Sequence, residues 1–166
     1  MSTGCANVGM NPAPVETVAN LDLDRYLGTW YEIGSLPNRF QKHCVATAAT
    51  YSRIDPATIR VVNVCRRQRL DGDLRCVQGT AWLAGDGSNP ARLKVQFFWP
   101  LRGDYWVIAL DPEYRWAVVG HPQRKYLWIL AREPEMRDLL YRALLQRAAE
   151  QEFDVLRVKR TPQPGG

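Results

Sequence analysis

From Gly28 onward the apolar positions fall into short runs rich in β-branched and aromatic residues, each closed by residues that favour turns. Eight such runs precede any long helical pattern, near 28–34, 44–53, 58–66, 75–84, 91–98, 104–110, 114–119 and 126–132. The punctuation between them is Asp55-Pro56, Asp71-Gly72, Gly85-Asp86-Gly87, Pro100 with Gly103, Asp111-Pro112 and Gly120-His121-Pro122. Strands at this regular spacing pair with their neighbours in sequence. Eight of them close most economically into an antiparallel up-and-down β-barrel, an all-β fold. Ahead of the first strand, Asp22 is placed to cap one helical turn that carries Tyr26 and Leu27.

After the strands the period changes. Met136, Leu139, Leu140, Ala143 and Leu144 recur at three- and four-residue spacing, opposite Arg137, Arg142, Gln146 and Arg147. This predicts a helix over 134–151, with Pro134 in its first turn, lying on the barrel wall. A short ninth strand is expected over 153–158. Residues 1–19, small, polar and Pro-containing, read as a flexible tether, 20–160 as one domain and 161–166 as a disordered tail.

Composition narrows this picture. A chain of 166 residues, 46% hydrophobic, can bury a sizeable single core, and no stretch approaches the roughly 20 apolar residues that span a bilayer. A net charge of +5 favours anionic partners, whether nucleic acid, phospholipid headgroup or fatty-acid carboxylate. Nucleic acid is set aside, because the aromatics alternate with small residues at strand period, as core rather than as a stacking platform. Gly-rich phosphate loops and Ser-His-Asp patterns are absent. The N-terminus lacks the apolar run of a signal peptide, yet Met1-Ser2-Thr3-Gly4-Cys5 sets a cysteine behind small residues, as at a lipoprotein cleavage site, with Ser2 where Leu is usual. Cys5 is therefore a candidate for lipidation, which anchors a protein to a membrane without spanning it.

An eight-stranded barrel is just wide enough either to be filled by its side chains or to hold one small ligand. Trp30 and Glu32 share one face of the first strand, and Tyr126, Trp128, Leu130 and Arg132 share one face of the last. Gly28-Thr29-Trp30-Tyr31-Glu32, then Asp111-Pro112-Glu113-Tyr114, then Arg132 at the end of strand eight resemble in order the three signature regions of the lipocalins. The resemblance covers about 18–158 and extends to bacterial outer-membrane lipocalins and apolipoprotein D, through Arg25 to Ile33, Ala109-Leu110-Asp111 and Leu127 to Arg132. Asp111-Pro112 departs from the commoner start of the second region while keeping the spacing of Asp111 and Tyr114. The resemblance implies that Gly28, Trp30, Asp111, Tyr114 and Arg132 are structural, with the Arg132 guanidinium stacked on the Trp30 indole across the closed end.

Strand order then puts the mouth at the loops 35–43, 66–73, 99–103 and 120–125. These loops and their flanks carry Arg39, Lys42, Arg66, Arg67, Arg69, Arg75, Arg102, Arg124 and Lys125. A headgroup rim formed by Arg39, Arg66, Arg67 and Arg124 suits a carboxylate or phosphate. Parity puts Glu32, Trp128 and Leu130 in the lumen, similarity to apolipoprotein D adds Tyr51 and Tyr105, and Phe40 is a candidate lid. Glu32 is expected either to serve a ligand as a neutral donor or to be held in the plug. The expected ligand is a fatty acid or lysophospholipid, held at the outer membrane or in the periplasm by a monomer or homodimer.

Cys44, Cys65 and Cys76 lie near the mouth, where one disulfide can form. Cys44 with Cys65 is favoured and Cys65 with Cys76 is the alternative. Two other readings stay open: His43 and His121 as haem or metal ligands, and a leftover mouth thiol beside His43 as an enzymatic nucleophile. Neither a metal nor another cofactor is expected, nor catalysis, since no orienting group or oxyanion site accompanies the thiol.

Overall fold

A computed structural model describes residues 11–98 and 101–165. A capped turn α1 (Leu23–Tyr26) leads into β1 (Gly28–Ser35). Next come β2 (Cys44–Arg53), β3 (Thr58–Arg67), β4 (Leu74–Leu83), β5 (Arg92–Phe98), β6 (Leu101–Leu110), β7 (Trp116–Gly120) and β8 (Leu127–Ala131), then the helix α2 (Asp138–Glu150) and β9 (Lys159–Arg160). Each strand from β2 to β7 pairs antiparallel with the next, and β1 pairs with both β8 and β2, which closes the barrel.

Alternate faces of the same strands are buried on different sides. Leu130 and Trp128 belong to a luminal cluster with Trp30, Tyr51, Ile59, Val61, Leu93 and Val107. Leu127 and Ile129 belong to a second cluster on the outer wall under α2. Burial on both faces explains why β8 reads as a nearly continuous apolar run.

The closed end is built from the signature residues. Arg132 lies 3.9 Å over the Trp30 ring, while its guanidinium donates to the carbonyls of Thr29, Arg25 and Tyr114. Trp30 Nε1 donates to the Tyr26 carbonyl at 2.8 Å. Gly28 has φ +96°, and a Cβ there would stand 3.1 Å from Arg132 Nη1, so glycine meets both a backbone and a space requirement. Asp111 accepts from the backbone and side chain of Arg115, and Tyr114 Oη accepts from Asp22 N at 2.8 Å.

Four expectations are corrected. The helix begins at Asp138 rather than near Pro134, because 134–137 carry the chain from the barrel end to the wall, where Met136 packs. Its buried stripe is Tyr141, Leu144 and Ala148, whereas Leu139 and Ala143 are exposed; the helix is rotated so that Tyr141 lies against Gly34. The ninth strand is Lys159–Arg160 rather than 153–158: Phe153 is buried against Gly120, a 3-10 turn follows at Val155–Arg157, and only then does the chain reach β1. Among the described residues, parts of 11–19 and 161–163 pack on the barrel where a tether and a tail were expected. Val15 is 2% exposed and Val18 N donates to the Val107 carbonyl, while Thr161 and Gln163 bond to β1.

Replacing Arg132 by Ala removes the stack and leaves backbone carbonyls without their donor, so the urea-unfolding free energy should fall by about 3 kcal/mol. A loss no larger than that of an exposed arginine would show that the floor does not depend on it.

Candidate functional site

The barrel interior has two polar levels within an apolar lining. At the lower level the hydroxyls of Tyr26, Tyr51 and Tyr105 converge: Tyr26 Oη and Tyr105 Oη are 2.7 Å apart, and Tyr51 Oη donates to Tyr105 Oη at 3.0 Å. Burial pushes all three phenols up, that of Tyr51 to about 12, so they act as neutral hydroxyls. Three hydroxyls joined by two bonds keep one O–H for a further acceptor. A cavity of about 10 Å³ lies among them, bounded by Leu27, Ile59 and Leu93, with room for one water.

At the upper level stands Glu32, 5% exposed. Its carboxylate accepts from Ser35 Oγ at 3.0 Å, Thr161 Oγ1 at 2.6 Å and Gln41 Nε2 at 2.5 Å. Gln41, on a 3-10 turn at Arg39–Gln41, accepts from Trp128 Nε1 at 3.0 Å. Trp128 stacks on Tyr126, whose ring centroid is 6.1 Å from that of Phe40, at the opening.

This level exists because β1 and β2 part. They pair from Gly28 opposite Tyr51 to Tyr31 opposite Ala48, and β9 then takes the vacated edge, with Arg160 opposite Gly34. Gln163 fills the remaining gap, its Nε2 donating to the Glu32 and Thr47 carbonyls at 2.8 and 2.9 Å. Glu32 thus joins the mouth loop, β1 and residues 161–163.

The cations separate by parity. Ile59 and Val61 are luminal, and counting by twos puts Cys65 and Arg67 on that face, with Arg75 opposite Cys65. Arg66 falls on the outer parity, and its Nη1 donates to the Gly72 carbonyl at 3.2 Å. Arg39 lies over the Phe40 ring at 5.4 Å. Arg124 is a correction to the rim: it turns to the outer wall and donates to the Gln151 carbonyl at 2.7 Å and to that of Ala13. The exposed carbonyls at the end of α2 draw the guanidinium there.

A disulfide joins Cys44 to Cys65, with Cα atoms 5.5 Å apart. Cys76 is free and opposite Val64 on the outer parity, so it does not face the lumen. His43 is exposed, whereas His121 packs on Tyr126 near Asp104. Among the described residues no group of three His, Cys, Asp or Glu side chains could hold a metal ion. Cys5 lies outside the described residues.

Sequence reasoning missed Tyr26, Gln41, Thr161 and Gln163. Tyr26 could have been found from its place in the capped turn directly before Trp30. The other three have no local signal, since their partners lie 9 to 131 residues away.

A family described as a lipocalin-like domain matches residues 21–163. The chain is 43% identical over 155 residues to the outer membrane lipoprotein Blc of Citrobacter freundii, covering 93% of this chain and 86% of that protein. It is 36% identical over 137 residues to apolipoprotein D of Rattus norvegicus, covering 77% and 69%. The solved structure of insecticyanin from Manduca sexta superposes with a TM-score of 0.73 at 19% identity, covering 93% and 87%, a likeness of fold.

Burial holds the Glu32 carboxyl above its ordinary value of 4.5 against the opposing pull of its three donors. The folded chain therefore binds that proton more tightly than the unfolded chain. The contribution to stability is full below 4.5 and is lost as pH rises through the folded value. Urea unfolding from about pH 4 to about pH 8 should show the native chain losing stability relative to Glu32→Gln as pH rises. A gap that does not change with pH would mean that the carboxyl titrates alike in both states.

Proposed function

Since this chain belongs to the lipocalin-like family, we propose that it binds a hydrophobic or amphiphilic small molecule in the barrel lumen, as a carrier or store rather than a catalyst. The ligand class is a fatty acid or lysophospholipid. The observation that carries this reading is the apolar lining of the barrel interior, floored by the Trp30–Arg132 stack, with Arg67 and Arg75 on the luminal parity at its mouth. The tail runs along Leu130, Trp128 and Val107 toward the Tyr51 and Tyr105 hydroxyls. Phe40 covers the opening, and the guanidinium groups take the anionic head.

Similarity to an outer membrane lipoprotein supports a place at the bacterial envelope, with acyl chains on Cys5 as the anchor. The disulfide between Cys44 and Cys65 fits an oxidising compartment such as the periplasm.

Titration of delipidated protein, followed by tryptophan fluorescence, tests the head and the tail separately. Arg67→Glu combined with Arg75→Glu should weaken oleate binding by about tenfold and leave oleyl alcohol within about twofold. Equal losses for both ligands would remove the headgroup assignment, and no saturable binding of either would remove the lumen reading.

A further inference from the structure

Among the described residues the exposed large apolar side chains are Phe40, Ile54, Leu70, Leu74, Leu139 and Leu156. Three of them gather on two neighbouring mouth loops. Phe40 is 55% exposed in the loop 36–43, and Leu70 and Leu74, 44% and 60% exposed, lie in and just after the loop 68–73.

These two loops form one body. The disulfide joins the strands that carry them, and Gln68 N donates to the His43 carbonyl at 2.7 Å. The second loop is closed by Arg67 N to the Asp73 carbonyl at 3.0 Å and Gly72 N to the Arg69 carbonyl at 2.9 Å. A Cβ at Gly72 would overlap the Arg67 carbonyl oxygen, so the tight turn requires glycine there, with Leu70 and Leu74 exposed on either side of it.

Around the tips stand Arg39, Lys42, Arg66, Arg67, Arg69 and Arg75, against Asp71 and Asp73, six cations to two carboxylates for a local charge of +4. Asp71 is taken by Arg69 at 3.3 Å, which leaves the outer cations in excess. Apolar tips inside a cationic ring fit the headgroup layer of an anionic bilayer: aliphatic and aromatic side chains enter the interface, and arginines bind phosphate oxygens. The same charge opposes a second copy of this chain, which would bring like potentials face to face.

We propose that the loops 36–43 and 68–73, together with Leu74, form a docking surface for anionic phospholipid bilayers. The contact lies on one side of the mouth, so the barrel meets the leaflet tilted, with the β1–β4 edge down. It borders the proposed lumen site, with which it shares Phe40, Arg67 and Arg75, whereas Leu70 and Leu74 belong to the docking surface alone.

The test is flotation of the full chain carrying Cys5→Ser, so that no acyl group holds it, with vesicles of phosphatidylglycerol and phosphatidylcholine or of phosphatidylcholine alone. Binding is expected only to the anionic vesicles and should fall as salt rises. Leu70→Ser with Leu74→Ser should lower the partition constant by about tenfold, whereas Leu139→Ser should not change it. Near-ultraviolet circular dichroism reports whether the double variant is folded. If it is not, Leu70→Trp supplies a second reading, a blue-shifted emission on adding anionic vesicles. An unchanged partition constant, equal binding to neutral vesicles, or a dimer in solution that the double substitution abolishes would each overturn the proposal. Loss of oleate binding with flotation intact would count against the lumen reading alone.

Discussion

The Arg132 guanidinium, 3.9 Å above the Trp30 indole, is the contact on which the closed end of the barrel depends. Its donors reach Thr29 on β1, Arg25 in the turn before it and Tyr114 between β6 and β7, so one side chain ties the end of β8 to the α1–β1 segment and to the β6–β7 turn. The cation faces a π system and its N–H groups face carbonyls, so its donors are satisfied at the floor. Gly28 admits the guanidinium, and Tyr26, whose carbonyl receives the indole N–H, supplies the hydroxyl that meets Tyr105 one level higher. The lower lumen is therefore an extension of the floor.

The other end follows a different constraint. Strands β1 and β2 stop pairing after Tyr31 opposite Ala48, and the parting leaves backbone groups in need of partners. Residues 159–163 supply them: β9 pairs with β1, the Pro162 carbonyl accepts from Ala46 N, and Gln163 bridges the two strands. Glu32 sits behind this patch, with donors from the terminus, the mouth loop and its own strand. Its burial disfavours the charged form and the three donors favour it, so the latch is held by opposed terms whose balance shifts with pH.

Between floor and latch, charge and apolarity are kept apart by strand alternation. Residues two apart share a face, so neighbours such as Arg66 and Arg67 serve different surroundings, the one bonded within its own turn and the other on the luminal parity. The exposed tips of the two disulfide-linked loops extend the same division outward, setting apolar side chains and cations side by side at the rim.

Strand order and alternation were legible in the sequence because each depends on residues a few positions apart. The periods of Ile59 with Val61 and of Trp128 with Leu130, together with turn dipeptides such as Asp71-Gly72, carry the barrel and its inward faces. The Trp30 and Arg132 roles were legible through family resemblance, and the favoured pairing of Cys44 with Cys65 through its place at the ends of adjacent strands. Tertiary structure alone decided the buried face of α2, the outward turn of Arg124, and the gathering of Gln41, Thr161 and Gln163 on Glu32 and its strand. Those outcomes depend on register shifts, as at Glu32/Gly34 and Val45/Ala48, and on hydrogen-bond partners that lie 9 to 131 residues away. Local periodicity encodes which face a residue takes, whereas the partner that meets it there is set only when the barrel closes.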